Sequence, residues 1–264
     1  MTIIMIETTI VLIGLAVIPL LFFRFPRLPK AGNGNREIPK ISVIIPARNE
    51  ESRIPLLLKD LCDQSIKPLE IICVDDASSD NTAQIAETLG SKVISLDNKP
   101  EDWTGKAWAC QNGADMAKGD LLLFLDADVR LGDDGMERLI QAYSEKGCAI
   151  SVQPYHFTQR WYEQYSMLFN LIQIAANGTT LPRPRNIGLF GPVILISRTD
   201  YDKIGGHESV RKSIVEDMAL GQRLKDAGIP FRIFVGDKHV SFRMYGSGFI
   251  TLFQGWVKNI ASGA

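Results

Sequence analysis

Several residue patterns that mark common protein classes are missing from this chain. None of the four cysteines belongs to a CxxC pair, and the three histidines lie far apart, without the spacing of metal ligands. Both absences argue against a disulfide framework and against a zinc site. We expect buried, reduced thiols at Cys62, Cys73, Cys110 and Cys148.

An excess of charge of one sign is also missing. The formal net charge of the 264 residues is −1, whereas a nucleic-acid-binding protein usually has a clear basic excess. We therefore expect no nucleic-acid partner. No internal repeat is visible, and the composition, 45% hydrophobic and 22% charged, is typical of globular proteins. The length suits one large α/β domain or two small ones.

The N-terminus has no uninterrupted apolar run of membrane-spanning length. Ile3 to Phe23 is almost entirely apolar but is broken at residues 7–9, and the unbroken part from Ile10 is shorter than the roughly 20 residues that cross a bilayer. Counted together with Ile3 to Ile6, the segment is long enough, so we predict a membrane anchor helix over residues 1–25. A buried core helix is the alternative, supported mainly by Glu7.

The flanks of this segment bear on its orientation. No basic region precedes it and no small-residue cleavage site follows, which argues against a cleaved signal peptide. Arg24, Arg27 and Lys30 come directly after it. By the positive-inside rule, we expect a cell-membrane protein whose main domain lies in the cytoplasm.

Strands and helices alternate after a polar linker at residues 26–40. Alternation of this kind predicts βαβ units and an open, mostly parallel, Rossmann-like α/β sheet. The expected strands are Ile41–Pro46, Leu69–Val74, Lys92–Leu96 and Leu121–Leu125, and the expected helices are Ile54–Cys62, Asp80–Leu89 and Ala107–Ala117.

The second half of the chain is less regular. We predict a strand at Val193–Ser197, a helix at Ser213–Ala227 and a final amphipathic helix at Phe249–Ile260. A further helix, Trp161–Ala176, is rich in aromatic residues. Such a helix can lie in a membrane interface or can pack in an ordinary core, and the sequence leaves both open.

Carboxylates follow two of the expected strands. Asp75 and Asp76 come after one, and Asp126 and Asp128 come after the apolar run LLLFL. Parallel strands deliver their carboxyl ends to one edge of the sheet, where ligands bind. Side chains two apart on a strand point to the same side, so Asp126 and Asp128 can face one ligand. Paired carboxylates favour a hard cation, so we predict Mg²⁺ or Mn²⁺ at these two residues.

Four motifs give the chain a family resemblance. ISVIIPARNEE (Ile41–Glu51), VDDASSDNT (Val74–Thr82), GDLLLFLDADV (Gly119–Val129) and VED (Val215–Asp217) stand in the order and spacing of family 2 glycosyltransferases. The resemblance implies a GT-A fold over residues 41–264, with a nucleotide-sugar half at 41–130 and an acceptor half at 131–264.

The resemblance also assigns roles to residues. It implies that Asp76 binds the uracil ring of a UDP-sugar, that Asp126 lies near the ribose and sugar, that Asp128 binds the metal, and that Asp217 is the catalytic base of an inverting enzyme. Four residues are expected to line the nucleotide pocket: Pro46, Ala47, Arg48 and Glu50. Ser78 and Asp80 more simply shape the turn and cap the next helix.

Other assignments have a structural alternative. Lys106 precedes a helix and is expected to contact the diphosphate or sugar, with a solvated surface lysine as the alternative. Ser213 and Glu216 have the spacing of a capping box, which would explain Glu216 without function. The residues expected on the acceptor side are Gly206, His207, Glu216, Arg243 and Trp256, with packing as the alternative for His207.

A narrower resemblance is to the carotenoid-acid (4,4'-diaponeurosporenoate) glycosyltransferases. It rests on the segments SVQPYH, FNL, GPV, FRMY and QGW between Ser151 and Trp256. The resemblance implies transfer of a hexose, with glucose expected, from a UDP-sugar to the carboxylate of a C30 carotenoid acid. The alternatives are another lipid acceptor (polyprenyl phosphate, hopanoid or diacylglycerol) and a non-catalytic sugar-nucleotide-binding module. A nucleotidyltransferase is disfavoured because PARNEE is acidic rather than basic and glycine-rich.

Overall fold

A computed structural model describes residues 2–32, 38–243, 248, 249, 252, 253 and 257. The helices are α1 (Thr2–Leu21), α2 (Ile54–Asp63), α3 (Thr82–Thr88), α4 (Gly105–Met116), α5 (Gly135–Lys146), α6 (Glu163–Ala176), α7 (Arg198–Lys203) and α8 (Glu216–Asp226), with a short 3₁₀ helix at His207–Val210. The strands are β1 (Ile41–Ala47), β2 (Glu70–Asp75), β3 (Lys92–Ser95), β4 (Leu121–Leu125), β5 (Val129–Leu131), β6 (Ala149–Gln153), β7 (Tyr155–His156), β8 (Val193–Ser197), β9 (Phe231–Val235) and β10 (Val240–Phe242).

The main sheet has the order β3-β2-β1-β4-β8-β6-β9. Strands β3, β2, β1 and β4 are parallel to one another, as the sequence predicts, and Ile44 pairs with Ile72 on one side and Phe124 on the other. Strand β8 is antiparallel to both β4 and β6. The sheet is therefore mostly parallel with one reversed strand, which confirms the predicted α/β architecture.

Both faces of this sheet are covered, because alternate residues of each strand point to opposite sides. Val43 and Ile45 face a core formed with α2 and α5, whereas Ile44 faces a second core formed with α4 and α8. Continuous apolar strands such as β4, buried at every position, suit a sheet covered on both faces.

A small second sheet, in the order β5-β10-β7, lies beyond the end of β4. Strand β5 begins at Val129, directly after Asp128. It pairs antiparallel with β10, and β10 pairs parallel with β7. The chain that carries the two aspartates thus passes straight from the main sheet into the small one.

The N-terminal helix forms as predicted, but its role as a spanning anchor is not supported. Over the part of the chain that the structure describes, no helix is long and apolar enough to cross a membrane. The alternative of a buried core helix is wrong, since the apolar side chains from Met5 to Leu20 are largely exposed. The end of α1 is attached to the domain through a hydrogen bond from the Arg24 backbone N–H to the Thr180 carbonyl oxygen, at 3.1 Å.

Two smaller expectations need correction. Cys62 is exposed, because α2 turns Leu57, Leu58 and Leu61 toward the core and leaves Cys62 outside, whereas the other three cysteines are buried and all four are free. The predicted C-terminal helix lies partly outside the described residues, and those described at 249, 252, 253 and 257 are helical.

Candidate active site

The carboxyl ends of β1, β2 and β4 surround a cavity of about 480 Å³. All of the residues predicted to bind the donor line it, together with Asp128: Pro46, Ala47, Arg48, Glu50, Asp76, Lys106 and Asp126. The topology explains the convergence, because parallel strands bring their carboxyl ends to one edge of the sheet.

Asp76 lies deep in this cavity. Its carboxylate is almost fully buried and pairs with Arg48, with 3.6 Å between Nη1 and Oδ2. The backbone of Gly105, at the start of α4, packs against the same carboxylate so closely that a Cβ at this position would overlap Asp76 Oδ2. Glycine at 105 therefore allows α4 to begin beside the carboxylate.

We expect Gly105→Ala to weaken UDP binding about tenfold or more, because the added methyl group must displace Asp76 and one charge-assisted hydrogen bond is worth about 1.5–3 kcal/mol. Isothermal titration of UDP measures the loss. Gly14→Ala is the matched control, since a Cβ at Gly14 meets no atom within 4 Å. Unchanged UDP affinity in Gly105→Ala would contradict a donor role for Asp76.

The loop after β1 is held against the loop after β2. Asn49 and Ala77 have positive φ angles of 56° and 52°, uncommon for residues other than glycine. The Asn49 backbone N–H donates to Ser78 Oγ at 2.9 Å, and the Ser79 N–H donates to Asn49 Oδ1 at 2.8 Å. Asp80 accepts from the Thr82 N–H at 3.0 Å. Both Ser78 and Asp80 thus have the structural roles expected of them.

Lys106 is the central cation of the site. Its Nζ lies 2.7 Å from Asp126 Oδ1 and 3.5 Å from Glu216 Oε1. Burial alone would lower the pKa of Lys106, but the carboxylates of Asp126 and Glu216 raise it well above its usual value. The ammonium is therefore charged at neutral pH. The alternative of a freely solvated lysine is wrong.

Asp128 differs from Asp126 in having no such partner. Within the residues that the structure describes, neither a hydrogen bond nor an ion pair reaches its carboxylate. Burial, assisted by the charge of Asp126, raises the pKa of Asp128 to about 7. A divalent cation offsets this kind of unfavourable charge.

Asp126 and Asp128 fit a metal ion that takes its other ligands from the substrate and from water. No group of three or more histidine, cysteine, aspartate or glutamate side chains among the described residues could hold a metal ion by itself. Mg²⁺ and Mn²⁺ commonly take one or two carboxylates and complete their shell with phosphate oxygens and water. Asp128, with Asp126 beside it, could supply that number of protein ligands.

Asp217 is held at the edge of the same site. Its Oδ2 accepts from the Gly191 backbone N–H at 2.7 Å and its Oδ1 from the Met218 N–H at 2.9 Å. Both Asp217 Oδ2 and Lys106 Nζ lie 3.0 Å from the point where a Cβ on Gly191 would stand. Burial raises the pKa of Asp217, and the Lys106 ammonium opposes the rise. A fixed carboxylate with a raised pKa, close to the donor cavity, is suited to act as a base.

The capping-box interpretation of Glu216 is wrong. Helix α8 begins at Glu216 itself, and its N-cap residue, Val215, makes no side-chain cap hydrogen bond. Glu216 is buried and faces Lys106 instead. The tertiary ion pair therefore replaces the local cap that the sequence suggested.

His207 packs in the core. It is almost fully buried, and its Nδ1 lies 2.9 Å from the Tyr201 hydroxyl. Burial lowers the pKa of His207 to about 3, so the imidazole is neutral. Gly206 precedes it with a φ of 53° and lies against Tyr201. His207 borders the small space beside Asp217 but is neither exposed nor charged, which favours the packing alternative.

Of the remaining acceptor-side predictions, Trp256 lies outside the described residues, and Arg243 lies on the far side of Asp128. Arg243 Nη2 donates to Glu163 Oε1 at 2.7 Å, and the Glu163 side chain is fully buried. Sequence reasoning missed Glu163, for which the only signal was one carboxylate within the aromatic run WYEQY. It also missed the larger cavity that Arg243 lines.

Comparison with known sequences agrees with this geometry. The glycosyl transferase family 2 model matches residues 42–216. The chain belongs to this family. It is 42% identical over 232 residues to a 4,4'-diaponeurosporenoate glycosyltransferase of Staphylococcus haemolyticus, covering 85% of this chain and 62% of that protein. It is 40% identical over 265 residues to the protein of the same name from Staphylococcus aureus strain USA300, covering 97% of this chain and 70% of that one.

Solved structures of other proteins also have a fold similar to that of this chain. A mannosyltransferase from Pyrobaculum calidifontis, in complex with GDP-Man and Mn²⁺, aligns with a TM-score of 0.57 at 20% identity, covering 92% of this chain and 70% of that one. TarS 1–349 from S. aureus, in complex with UDP-GlcNAc, aligns with a TM-score of 0.53 at 20% identity, covering 77% and 58%. At this identity the likeness establishes the GT-A fold and no more.

Proposed function

We propose that this family 2 member is an inverting glycosyltransferase that moves a hexose from a UDP-sugar to the carboxylate of a C30 carotenoid acid. Glucose is the hexose that we propose. One observation carries the proposal: Asp76, Lys106, Asp126 and Asp128 line one cavity, and Lys106 and Asp126 also border the small adjoining space that Asp217 lines. The choice of acceptor follows the names of its relatives, the diaponeurosporenoate glycosyltransferases.

Each group has a task in the transfer. Asp76 accepts hydrogen bonds from the uracil ring, and Lys106 places a positive charge where the diphosphate and sugar meet. A bound Mg²⁺ or Mn²⁺ would offset the negative charge that develops on the departing UDP. An acceptor oxygen forms a bond to the anomeric carbon from the opposite face, the bond from that carbon to the UDP oxygen breaks, and UDP leaves with the electron pair.

The fate of the proton depends on the acceptor. A hydroxyl acceptor must lose its proton as it attacks, and Asp217 takes it. A carboxylic acid with a pKa of about 4 is already ionised at neutral pH and attacks without a base. Asp217 is then not needed as a base. A diacylglycerol or a hopanoid attacks through a hydroxyl and needs the base, whereas a polyprenyl phosphate is already ionised like the carboxylate, so dependence on Asp217 separates the hydroxyl acceptors from the two ionised ones.

Incubation with UDP-glucose and other UDP-sugars, each with a C30 carotenoid acid, a diacylglycerol or a polyprenyl phosphate, tests the proposal directly. Mass spectrometry should detect a glycosyl ester of the acid that mild alkali hydrolyses. If the sugar is instead joined to a hydroxyl lipid by an alkali-stable glycosidic bond, that lipid and not the carotenoid acid is the acceptor. Binding of UDP-sugars without transfer to any lipid would favour the non-catalytic module.

We also propose that the protein works at the cytoplasmic surface of the cell membrane. Two surfaces support this. Apart from Glu7, Thr8 and Thr9, the exposed side chains of α1 are mostly apolar, and three basic residues follow the helix. On α6 the usual polarity is inverted: Ser166 and Asn170 are buried, while Leu168 and Ile172 are more than half exposed. Exposed apolar helices of this kind are typical of lipid contact.

Deleting residues 1–24 should release much of the protein from anionic lipid vesicles in a co-sedimentation assay. The single change Leu12→Asp should weaken binding roughly tenfold or more, because burying a leucine side chain stabilises by about 1.5–3 kcal/mol. Leu89→Asp is the matched control, since Leu89 is an exposed leucine at the end of α3. Equal vesicle binding by all variants would contradict attachment through α1.

A further inference from the structure

A second cavity, of about 970 Å³, opens on the other side of Asp128 from the donor cavity. Asp128 and Ala127 line both, so the two cavities share one wall. The remaining walls come from the start of α2 and from the small sheet β5-β10-β7. The sharing of Asp128 means that a molecule in this cavity lies next to the donor site.

The charged side chains that line this cavity are mainly cationic. Arg53, Arg130, Lys238 and Arg243 line it, against the carboxylates of Asp60 and Asp128. Asp60 is already used, since Arg130 Nε and Nη2 both donate to it, and Arg53 pairs with Glu50 at 3.0 Å. Lys238 is exposed, and no ion pair or hydrogen bond reaches it from the part of the chain described. Its ammonium is available to an anionic ligand.

Arg243 is the best positioned of these cations. The fully buried Glu163 holds its Nε and Nη2, and Glu163 is itself fixed by the backbone N–H groups of Gln159 and Arg160. A guanidinium oriented by a buried carboxylate loses little entropy when it binds a further anion. Arg243 and Lys238 thus give the cavity two positive groups that an anionic ligand can contact.

The rest of the lining is apolar. Leu56, Tyr155, Phe157 and Phe242 contribute to it, and Leu56, Tyr155 and Phe157 are close to half exposed. Phe157 leads in sequence to Trp161, which is 70% exposed and stacks on Phe249 at 6.4 Å between ring centroids. Helix α6 then carries the exposed apolar row Tyr165, Leu168 and Ile172 away from the cavity. Exposed apolar side chains thus recur along the sequence from the cavity lining to the outer face of α6.

From this arrangement we propose that the second cavity is the acceptor site, and that it binds a long apolar molecule by its carboxylate end. The carboxylate lies with Arg243 and Lys238 in the cavity that shares Asp128 with the donor site, and the chain leaves across Tyr155 and Phe157 toward α6. The assignment rests on the proposed glycosyl transfer. It places the acceptor away from Gly206 and His207, which are packed in the core.

Binding measurements test the site separately from turnover. The probes are a long-chain polyene carboxylic acid and its methyl ester, each titrated in detergent micelles into the full chain with UDP present, with tryptophan quenching as the signal. The acid should bind about tenfold more tightly than the ester, because the ester has no charge to pair. Lys238→Glu should remove that preference, and Phe157→Ala should weaken both probes alike.

The controls separate this proposal from its alternatives. Lys92→Glu, on the edge strand β3, makes the same charge change at an exposed position outside the cavity and should leave both affinities unchanged. Lys238→Glu should also leave UDP affinity unchanged. The assignment is overturned if acid and ester bind equally, or if Lys238→Glu weakens UDP instead of the acid. Normal acid binding without product from any UDP-sugar would reject the glycosyl transfer and leave the binding site standing.

Discussion

Replacing Asp128 by alanine should lower UDP-sugar turnover in Mg²⁺ or Mn²⁺ by roughly 10³-fold, because a bound divalent cation stabilises the departing diphosphate by several kcal/mol. Asp128 is the carboxylate of the pair that no ammonium neutralises, whereas Asp126 is held by Lys106 at 2.7 Å. Loss of Asp128 should therefore remove most of the metal affinity.

The fold should survive this change, since it removes a carboxylate that lies unfavourably beside Asp126. Thermal unfolding of Asp128→Ala should occur no lower than in the unchanged chain. Electron paramagnetic resonance measures free Mn²⁺ with UDP present, and so reports Mn²⁺ binding independently of catalysis. Asp120→Ala, an exposed carboxylate at the opposite end of the same strand, is the matched control. Full activity in excess EDTA would contradict the hypothesis that turnover requires a metal.

Asp217→Asn should reduce transfer to a hydroxyl acceptor by roughly 10²–10⁴-fold, because the attacking oxygen then has no base. Transfer to a carboxylate acceptor should fall much less. With wild type and a hydroxyl acceptor, the rate should decrease as the pH falls through the raised pKa of Asp217, since the protonated form cannot take a proton. The carboxylate acceptor should show no such decrease near neutrality.

The measurement compares both acceptors, with both enzymes, at several pH values. Asparagine keeps one of the two backbone hydrogen bonds to Asp217 and leaves one donor unpaired, at a cost of about 1–3 kcal/mol, so UDP affinity and the unfolding midpoint must be followed as well. Asp226→Asn, exposed on the same helix, is the matched control. Equal losses for the two acceptors would mean that Asp217 is not a simple base or that the carboxylate acceptor is wrong.

The first half of the fold could be predicted because its signals are local. The run LLLFL forms β4 with the bounds expected, and the aspartates after it reach the cavity edge that strand alternation implies. In the second half, β6 and β9 were not anticipated. Their segments, AISVQ and FRIFV, are short, and Pro230 marked only the end of a helix. The direction of β8 is a property of tertiary pairing, on which no local pattern bears.

Long-range contacts account for what the sequence does not show about the site. Glu216 has a plausible local role as a cap, yet its partner is Lys106, more than a hundred residues earlier. Arg243 was assigned to the acceptor side from its motif, but its orientation depends on Glu163, 80 residues away. A lone carboxylate in an aromatic helix predicts no specific partner, so the second cavity could be found only from the assembled structure.

The reversed strand β8 limits how the enzyme can be rebuilt. Leu125 pairs with Val193, the Asp126 N–H donates to the Pro192 carbonyl oxygen at 3.0 Å, and the adjacent Gly191 N–H holds Asp217. The spacing of Asp126 and Asp217 is therefore set by one hydrogen-bonded ladder. A chimaera that joins residues 41–130 to the second half of a relative inherits the correct spacing only if the relative's equivalent of residues 190–193 fits this β4. The fit of this short segment against β4, more than overall sequence identity, should decide which chimaeras transfer sugar.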